Sequence, residues 1–475
     1  MNKALASIML LLPMGWNALP AQTSWTLQEC INHALQHNPE VVQASITREQ
    51  SQNNFEQSKW NQWPDLGFSS GQFLQNGRSI DRFTNTFTQT RIYSNNVGLQ
   101  SNAVLFAGRQ LHYATQQMRY AFLASADDEK AVNNNIALRV ANLYLQALQA
   151  KELLLTAEQN RNSAAQQLER MQKMYMAGSV AESQVLTLQA QLSTEQVSVV
   201  VAGNQAEQSL AGLRAMLLLP FGADFDVIAP NLPVGSEKPE DYHPDSIFQI
   251  AQQNRPEIAS AHNKVLSATY NLKGSHAGRY PSINAGVNLT TLYSENAKSI
   301  TNTRIIGTRP IGFVNGTNEV VETVDLAYTL QTIPFGKQYR ENLGQSAGMQ
   351  ISWSIFGKRS VDIRIQQARL TLQSAQIQEA AIRYQLYTDI VNAYTGFRQA
   401  YLRYAANADA LNFQDLNMSN LEKRFSAGQA NSTELQVARS ARFSAASSLI
   451  QSKYERIFRR MILDFYSGTP IHLNP

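Results

Sequence analysis

From Arg109 towards Gly178 the apolar positions recur in steps of four and three: Ile136, Val140, Leu143, Ala147, Ala150, Leu154, Ala157, Ala164, Leu168, Met171 and Tyr175. This heptad spacing keeps one face of a helix apolar along its length, the pattern of a helix packed lengthwise on another. No proline interrupts the stretch, and at 1.5 Å rise per residue a helix over 109–177 is roughly 100 Å long, several times the diameter of an ordinary domain. The seam recurs 250 residues further on, from Leu386, Ile390, Ala393, Phe397 and Ala400 through Tyr404, Leu411, Met418, Leu421 and Phe425, and predicts a second long helix over 358–427. Each ends at a glycine turn, Ala177-Gly178-Ser179 and Ala427-Gly428-Gln429. Return helices are expected over 180–219, where Gly203 and Gly212 weaken the pattern, and over 430–466.

Upstream of each long helix the period changes to two. Val97, Leu99, Ala103 and Leu105 alternate with Gly98, Gln100, Asn102 and Val104, and Ile283, Ala285, Val287 and Leu289 alternate with Asn284, Gly286, Asn288 and Thr290. Met349, Ile351, Trp353 and Ile355 form a further alternating set. Strands are therefore predicted near 63–75, 96–106, 281–293 and 347–356, each with one apolar and one polar face. Asn76 to Asn96 is polar and reads as a loop. Pro64-Asp65-Leu66 and Pro281-Ser282-Ile283 open the first strand of each set, and Asn38-Pro39-Glu40 and Arg255-Pro256-Glu257 separate two short helices before it; both pairs are 217 residues apart. The offset grows to 250 through an insertion of about 33 residues between Tyr293 and Ala347, either a surface loop or an extension of the strands. The chain thus reads as a duplication: a first repeat over 22–219, a linker over 220–243 rich in proline and glycine, and a second repeat over 244–475.

Four strands cannot close a barrel, and in lipid an open sheet edge leaves backbone groups unsatisfied at several kcal/mol each. Copies must combine, and four strands from each of three chains give a twelve-stranded barrel with a wet interior. Trp60, Trp63, Tyr280, Phe106 and Phe356 fall at the helix side of the strands, where an interfacial aromatic belt belongs. The fold class expected is a mixed α and β membrane protein, long helices joined to a transmembrane β-barrel built by a homotrimer.

Composition narrows the function. On length alone 475 residues suggest about three domains, a count the duplication overrules. Charged residues are 16% and the net charge is +4 with no Lys/Arg cluster, which argues against nucleic acid as a partner. A mean hydropathy of −0.30 excludes a bundle of transmembrane helices and leaves a membrane β-barrel open. Lys3, the apolar run Ala4 to Leu12 and the small residues before Gln22 mark residues 1–21 as a signal peptide. Cys30, the single cysteine, lies too far past that run to be a lipidation site.

With these features in order and duplicated, the chain resembles the TolC-like outer membrane channel family, the exit ducts of tripartite efflux pumps and type I secretion systems. The residues that carry the likeness are the entries at Pro64 and Pro281, the strand-to-helix exits Leu105-Phe106-Ala107-Gly108 and Ile355-Phe356-Gly357-Lys358, and the turns at Gly178 and Gly428. The resemblance implies a homotrimer in the Gram-negative outer membrane, in contact with its lipid through a 12-stranded β-barrel, with a long-helix α-barrel of twelve helices extending into the periplasm. It implies that Gly178, Ser179, Gly428 and Gln429 lie at the periplasmic tip, where an adaptor (membrane fusion) protein docks and an inner membrane pump is recruited. It also implies an acidic ring at the constriction, to which Glu434 would contribute; the next acidic position of the family falls on Val437, and Gln184 stands at the equivalent of Glu434 in the first repeat. An ordinary solvated helix glutamate is the alternative. His33 and His37 stand one helical turn apart, better explained as a polar face than a metal site, because no third ligand is near. The sequence contains no HExxH or Walker loop, so neither an enzyme nor a cofactor is implied. The expected role is a passive outer membrane exit duct for small molecules such as drugs. A protein-secretion duct and a soluble periplasmic coiled-coil scaffold are the alternatives.

Overall fold

The computed structural model describes residues 24–80, 85–88, 91–220, 222, 224–228, 236–469 and 471. The expected signal peptide, parts of the 76–96 and 220–243 segments, and His472 lie outside the described residues. In chain order the elements are β1 (Ser24–Trp25), α1 (Leu27–His37), α2 (Pro39–Trp60), β2 (Gly67–Gln75), β3 (Ser79–Ile80), β4 (Phe87–Thr88), β5 (Ile92–Phe106), α3 (Gln110–Met176) and α4 (Glu182–Met216). There follow β6 (Asp226–Val227), α5 (Pro244–Asn254), α6 (Pro256–Ala277), β7 (Ser282–Ser294), β8 (Lys298–Phe313), β9 (Val320–Thr332), α7 (Phe335–Glu341), β10 (Gly344–Ser352), α8 (Ser360–Ser426) and α9 (Ser432–Tyr466). Helix lengths repeat in pairs: α3 and α8 have 67 residues, α4 and α9 have 35, α2 and α6 have 22, and α1 and α5 have 11.

Two compact units result, one made of residues 1–52, 120–266 and 373–475, the other of 53–119 and 267–372. The first is helical. Its larger core gathers Ile136, Val140, Tyr144 and Leu148 of α3 with Cys30 and Ala34 of α1, Leu213 of α4 and Tyr454 of α9. A second core sets Leu386, Ile390 and Phe397 of α8 against Ile247 of α5 and Leu463 of α9. The heptad positions are thus buried or half-buried, with one departure: Tyr175 is 43% exposed, whereas Phe425, at the same place in the other copy, is half-buried and packed. α1 starts at a capping box, in which Glu29 N–H donates to Thr26 Oγ1 at 3.3 Å and Thr26 N–H to Glu29 Oε2 at 2.7 Å. Asn38 ends α1, and its Oδ1 accepts the Glu40 N–H at 2.9 Å, so one residue closes one helix and caps the next. α4 runs unbroken through Gly203 and Gly212.

The proline-rich 220–243 segment is not a free linker throughout. Asp226–Val227 pairs in parallel with Ser24–Trp25, Lys151 Nζ lies 2.7 Å from Asp226 Oδ1, and Phe225 and Val227 are buried. Two apolar side chains amid the prolines anchor it, because burying them outweighs the chain entropy lost.

The second unit holds a four-stranded antiparallel sheet of order β10-β7-β5-β2. Its strands differ at the ends from the expected ones. β5 begins at Ile92, inside the expected loop, because Ile92 finds Gln75 of β2 opposite it. β10 stops at Ser352, because β7 offers no partner beyond Ser282. Trp353 leaves the ladder and its Nε1–H donates to Arg279 O at 3.2 Å, while Ile355 and Phe356 are each 84% exposed. The insertion is a separate two-stranded ribbon, β8 on β9, followed by α7. Between strand and long helix both copies need left-handed backbone: Gly108 and Arg109 at φ +59° and +65°, Lys358 and Arg359 at +51° and +61°. At Gly108 a Cβ would also lie 2.9 Å from Ala277 O.

Candidate functional site

Two surfaces carry candidate chemistry, one in each unit. In the helical unit they are the ends of α3 and α8. Both close with a Schellman motif: Ser179 N–H donates to Met174 O (2.9 Å) and Gly178 N–H to Tyr175 O (2.8 Å), and Gln429 N–H donates to Arg424 O (2.8 Å) and Gly428 N–H to Phe425 O (3.0 Å). The motif demands a left-handed residue, and Gly178 and Gly428 supply it at φ +74° and +71°. The two turns are joined: Phe425 packs on the cluster of Leu168, Met171 and Leu188 from the first repeat and on Met418 and Leu435 from its own.

Glu434 is exposed in the first turn of α9, where it also serves the helix end. Its N–H donates to Asn431 Oδ1 at 2.8 Å, and its Oε1 accepts from Asn431 Nδ2 at 3.0 Å. In the first repeat Ala181 occupies the cap without a side-chain bond, and Gln184 stands where Glu434 does. An acidic residue at a helix N-terminus is favoured by the helix dipole, so the solvated reading of Glu434 has a local physical basis.

Sequence reasoning missed the polar joint behind the turns. Arg439 of α9 reaches Gln167 of α3 and lies 3.9 Å from Glu422 of α8, Arg442 Nε is 2.5 Å from Asp415 Oδ1, and Gln436 meets Gln191 of α4. Burial lowers the Arg439 pKa, against a rise from Glu422. The signal lay in the repeat, since the first copy has Gln189, Leu192, Ala165 and Gln172 where the second has Arg439, Arg442, Asp415 and Glu422.

His33 and His37 stack at 4.2 Å, and His37 Nδ1 lies 3.0 Å from the His33 carbonyl. Burial, and then His37, lower the His33 pKa. Among the described residues no cluster of three metal-ligating side chains occurs.

In the other unit the register sorts the sheet into two faces. One shows the rows Ser346–Asn288–Gln100–Gly67, Gly348–Gly286–Asn102 and Gln350–Asn284–Val104, with no charged side chain. The opposite face shows Gln345–Leu289–Leu99–Phe68, Met349–Ala285–Ala103 and Ile351–Ile283–Phe106. Among the described residues nothing covers that apolar face: Phe68 is 70% exposed, Ile351 70% and Met349 74%. A contiguous apolar surface of this kind marks contact with lipid or another chain. Pro64 and Pro281 stand just before β2 and β7, and Asp65 ties the first entry to β5, its Oδ1 accepting the Asn102 N–H at 2.5 Å. No helix among the described residues is long and apolar enough to cross a membrane.

A family model described as outer membrane efflux protein matches residues 30–217 and 247–469. The cation efflux system protein CusC of Escherichia coli O157:H7 is 24% identical over 285 residues, 59% of this chain and 58% of that protein, so the match spans little more than half of that relative. Among solved structures, the outer membrane protein VceC of Vibrio cholerae superposes with a TM-score of 0.73 at 14% identity, over 94% of this chain and 97% of that one. The CmeC outer membrane channel of Campylobacter jejuni gives 0.70 at 15%, over 94% and 87%, and the open-state MtrE outer membrane channel of Neisseria gonorrhoeae 0.69 at 17%, over 93% and 88%. At such identities these likenesses concern the fold.

Proposed function

The chain belongs to the outer membrane efflux protein family, and on that premise we propose that it is the exit duct of a tripartite export system. In this reading it acts as a homotrimer in the outer membrane of a Gram-negative cell, its helical region in the periplasm. It passes small molecules such as drugs passively outward, received from an inner membrane pump through a periplasmic adaptor.

The observation that supports this most is the sheet. It has an uncharged polar face, an exposed apolar face, and two unpaired edges, β2 and β10. In a bilayer those edges must be paired, and pairing β10 of one copy with β2 of the next makes twelve strands from three chains. Lipid then covers the Phe68–Leu99–Leu289 face, and the Asn/Gln/Ser/Gly face lines a wet pore. Trp60, Trp63, Tyr280, Phe106 and Phe356, all exposed, supply the aromatic belt at the periplasmic border. A lining without charge does not select cargo by sign, which leaves selection to the pump. At the tip, docking of the adaptor around Gly178, Ser179, Gly428 and Gln429 would bias the helix pairs between closed and open. Three copies of Glu434 would there attract cations to the constriction.

The test is purification followed by bilayer recording. The expected protein requires detergent for release, runs as a trimer and conducts, and Glu434→Gln weakens its cation preference and its block by divalent ions. Release of a monomer by osmotic shock, with no affinity for bilayers, would refute the duct and support the scaffold. A deletion strain that becomes drug-sensitive while its extracellular proteins are unchanged separates small-molecule export from protein secretion.

A further inference from the structure

The β8–β9 ribbon has strands of 16 and 13 residues where the first repeat has the two-residue pair β3–β4, and its register gives it two unlike faces. Ile300 opposes Leu330, Ile305 opposes Leu326, Thr303 opposes Tyr328, Thr308 opposes Val324 and Phe313 opposes Val320 on one face; Arg304, Arg309, Asp325 and Gln331 lie on the other. On the apolar face Ile300, Ile305, Phe313, Val324, Tyr328 and Leu330 are between 50% and 69% exposed.

The ribbon is not a loose loop at its root. Gln338, 1% exposed, accepts the Ser294 N–H at 3.0 Å and donates Nε2–H to Ser294 O at 3.1 Å and Ile333 O at 2.8 Å, binding the end of β7 to the return from β9. Asn342 Nδ2–H to Leu292 O at 2.7 Å and Thr291 Oγ1–H to Tyr339 O at 2.8 Å continue the clamp. A fixed root holds the apolar face in one orientation. The ribbon rises between β7 and the edge strand β10, from the end of β7 opposite its junction with α6. In the trimer proposed above that is the exit mouth, beside the edge strand that meets the next copy.

Which partner covers this face follows from charge, area and symmetry. Lys298, Arg304 and Arg309 balance Glu319, Glu322 and Asp325, so the ribbon has no net attraction for anionic headgroups. Glu322 also lies on this face, its Oε2 accepting from Thr308 Oγ1 at 2.5 Å, so at that level the face meets water and not hydrocarbon. Six half-exposed side chains offer roughly 600 Å² per copy, near the ~800 Å² per partner of a stable protein interface. In a threefold assembly one kind of face is buried against itself only where all three copies meet, on the axis.

We propose that the three ribbons of the assembly converge over the exit mouth with their apolar faces inward, forming an outer gate made of a second and third copy of the same segment. This rests on the trimeric duct reading. The test uses the full-length protein in lipid with Val324→Cys and a short bismaleimide. Covalent dimers and trimers are expected on denaturing gels, absent with Thr323→Cys on the polar face and with the unaltered chain, whose Cys30 is buried. Replacing 299–331 by a short glycine-serine turn should raise single-trimer conductance at least two-fold. Intact trimers that do not cross-link through position 324 would overturn the gate and leave the duct standing. Absence of any trimer in the unaltered protein would instead remove the duct and the gate with it.

Discussion

The two turns at the helix ends form an internal experiment, because the same Schellman geometry is followed by a capped helix in one copy and an uncapped one in the other. Asn431→Ala turns the second turn into the first, which has Ala181 at that place. It removes the bond from Glu434 N–H at 2.8 Å and the side-chain bond to Glu434 Oε1 at 3.0 Å. Loss of an asparagine N-cap costs about 1 kcal/mol, and the exposed side-chain pair adds roughly 0.3 kcal/mol. A total of about 1.3 kcal/mol corresponds to an increase of nearly tenfold in local opening. Amides 432–435 should therefore exchange roughly five- to tenfold faster by hydrogen–deuterium exchange mass spectrometry of the detergent-solubilised protein. The start of α4 should be unaffected, and Ala181→Asn should slow exchange there by a few-fold. Unchanged exchange at 432–435 would show that Asn431 does not hold the turn, and that Glu434 is not committed to the helix end.

Two other outcomes follow from the helical core. The Tyr144 hydroxyl lies 2.7 Å from Ile228 O and 3.1 Å from Trp25 O, holding both strands of the β1–β6 pair, so Tyr144→Phe should cost about 1–2 kcal/mol. Limited proteolysis between Leu219 and Lys238 should then accelerate several-fold, and an unchanged cleavage rate would show that the apolar anchors alone hold the segment. Burial pushes the Cys30 thiol up to about 12, the Glu29 carboxylate adding to the shift. Between its ordinary value and that one the folded chain binds the proton that the unfolded chain has lost, so this group's contribution falls as pH rises from about 9 towards 12. Iodoacetamide at pH 8 should modify Cys30 only after denaturation; rapid labelling of the native protein would place the thiol outside the core.

The polar joint at Arg439 shows why half of the candidate site escaped the sequence. Gly178 and Gly428 were legible because each closes a helix, a local signal, and Glu434 was singled out only through the family resemblance. Arg439 and Gln167 are far apart in the chain and belong to no motif, and only packing of α9 on α3 makes them neighbours. Tyr175 makes the same point in reverse: its heptad position is a core one, yet within one chain it is 43% exposed, while Leu168, Met171 and Leu188 pack on Phe425.

What the sequence alone determined was everything periodic: long helices with an apolar seam, strands with two unlike faces, and their duplication, because side-chain direction follows directly from 3.6- and 2-residue repeats. What only the tertiary structure decided was pairing. That β5 joins β7 to make one sheet from two copies, that β10 stops at Ser352, that Phe225 and Val227 pin a proline-rich segment, and that the insertion becomes a clamped ribbon are all contacts between distant parts of the chain. Such contacts depend on which backbone group finds a partner and which apolar surface finds cover, and neither is encoded in the spacing of residues along one element.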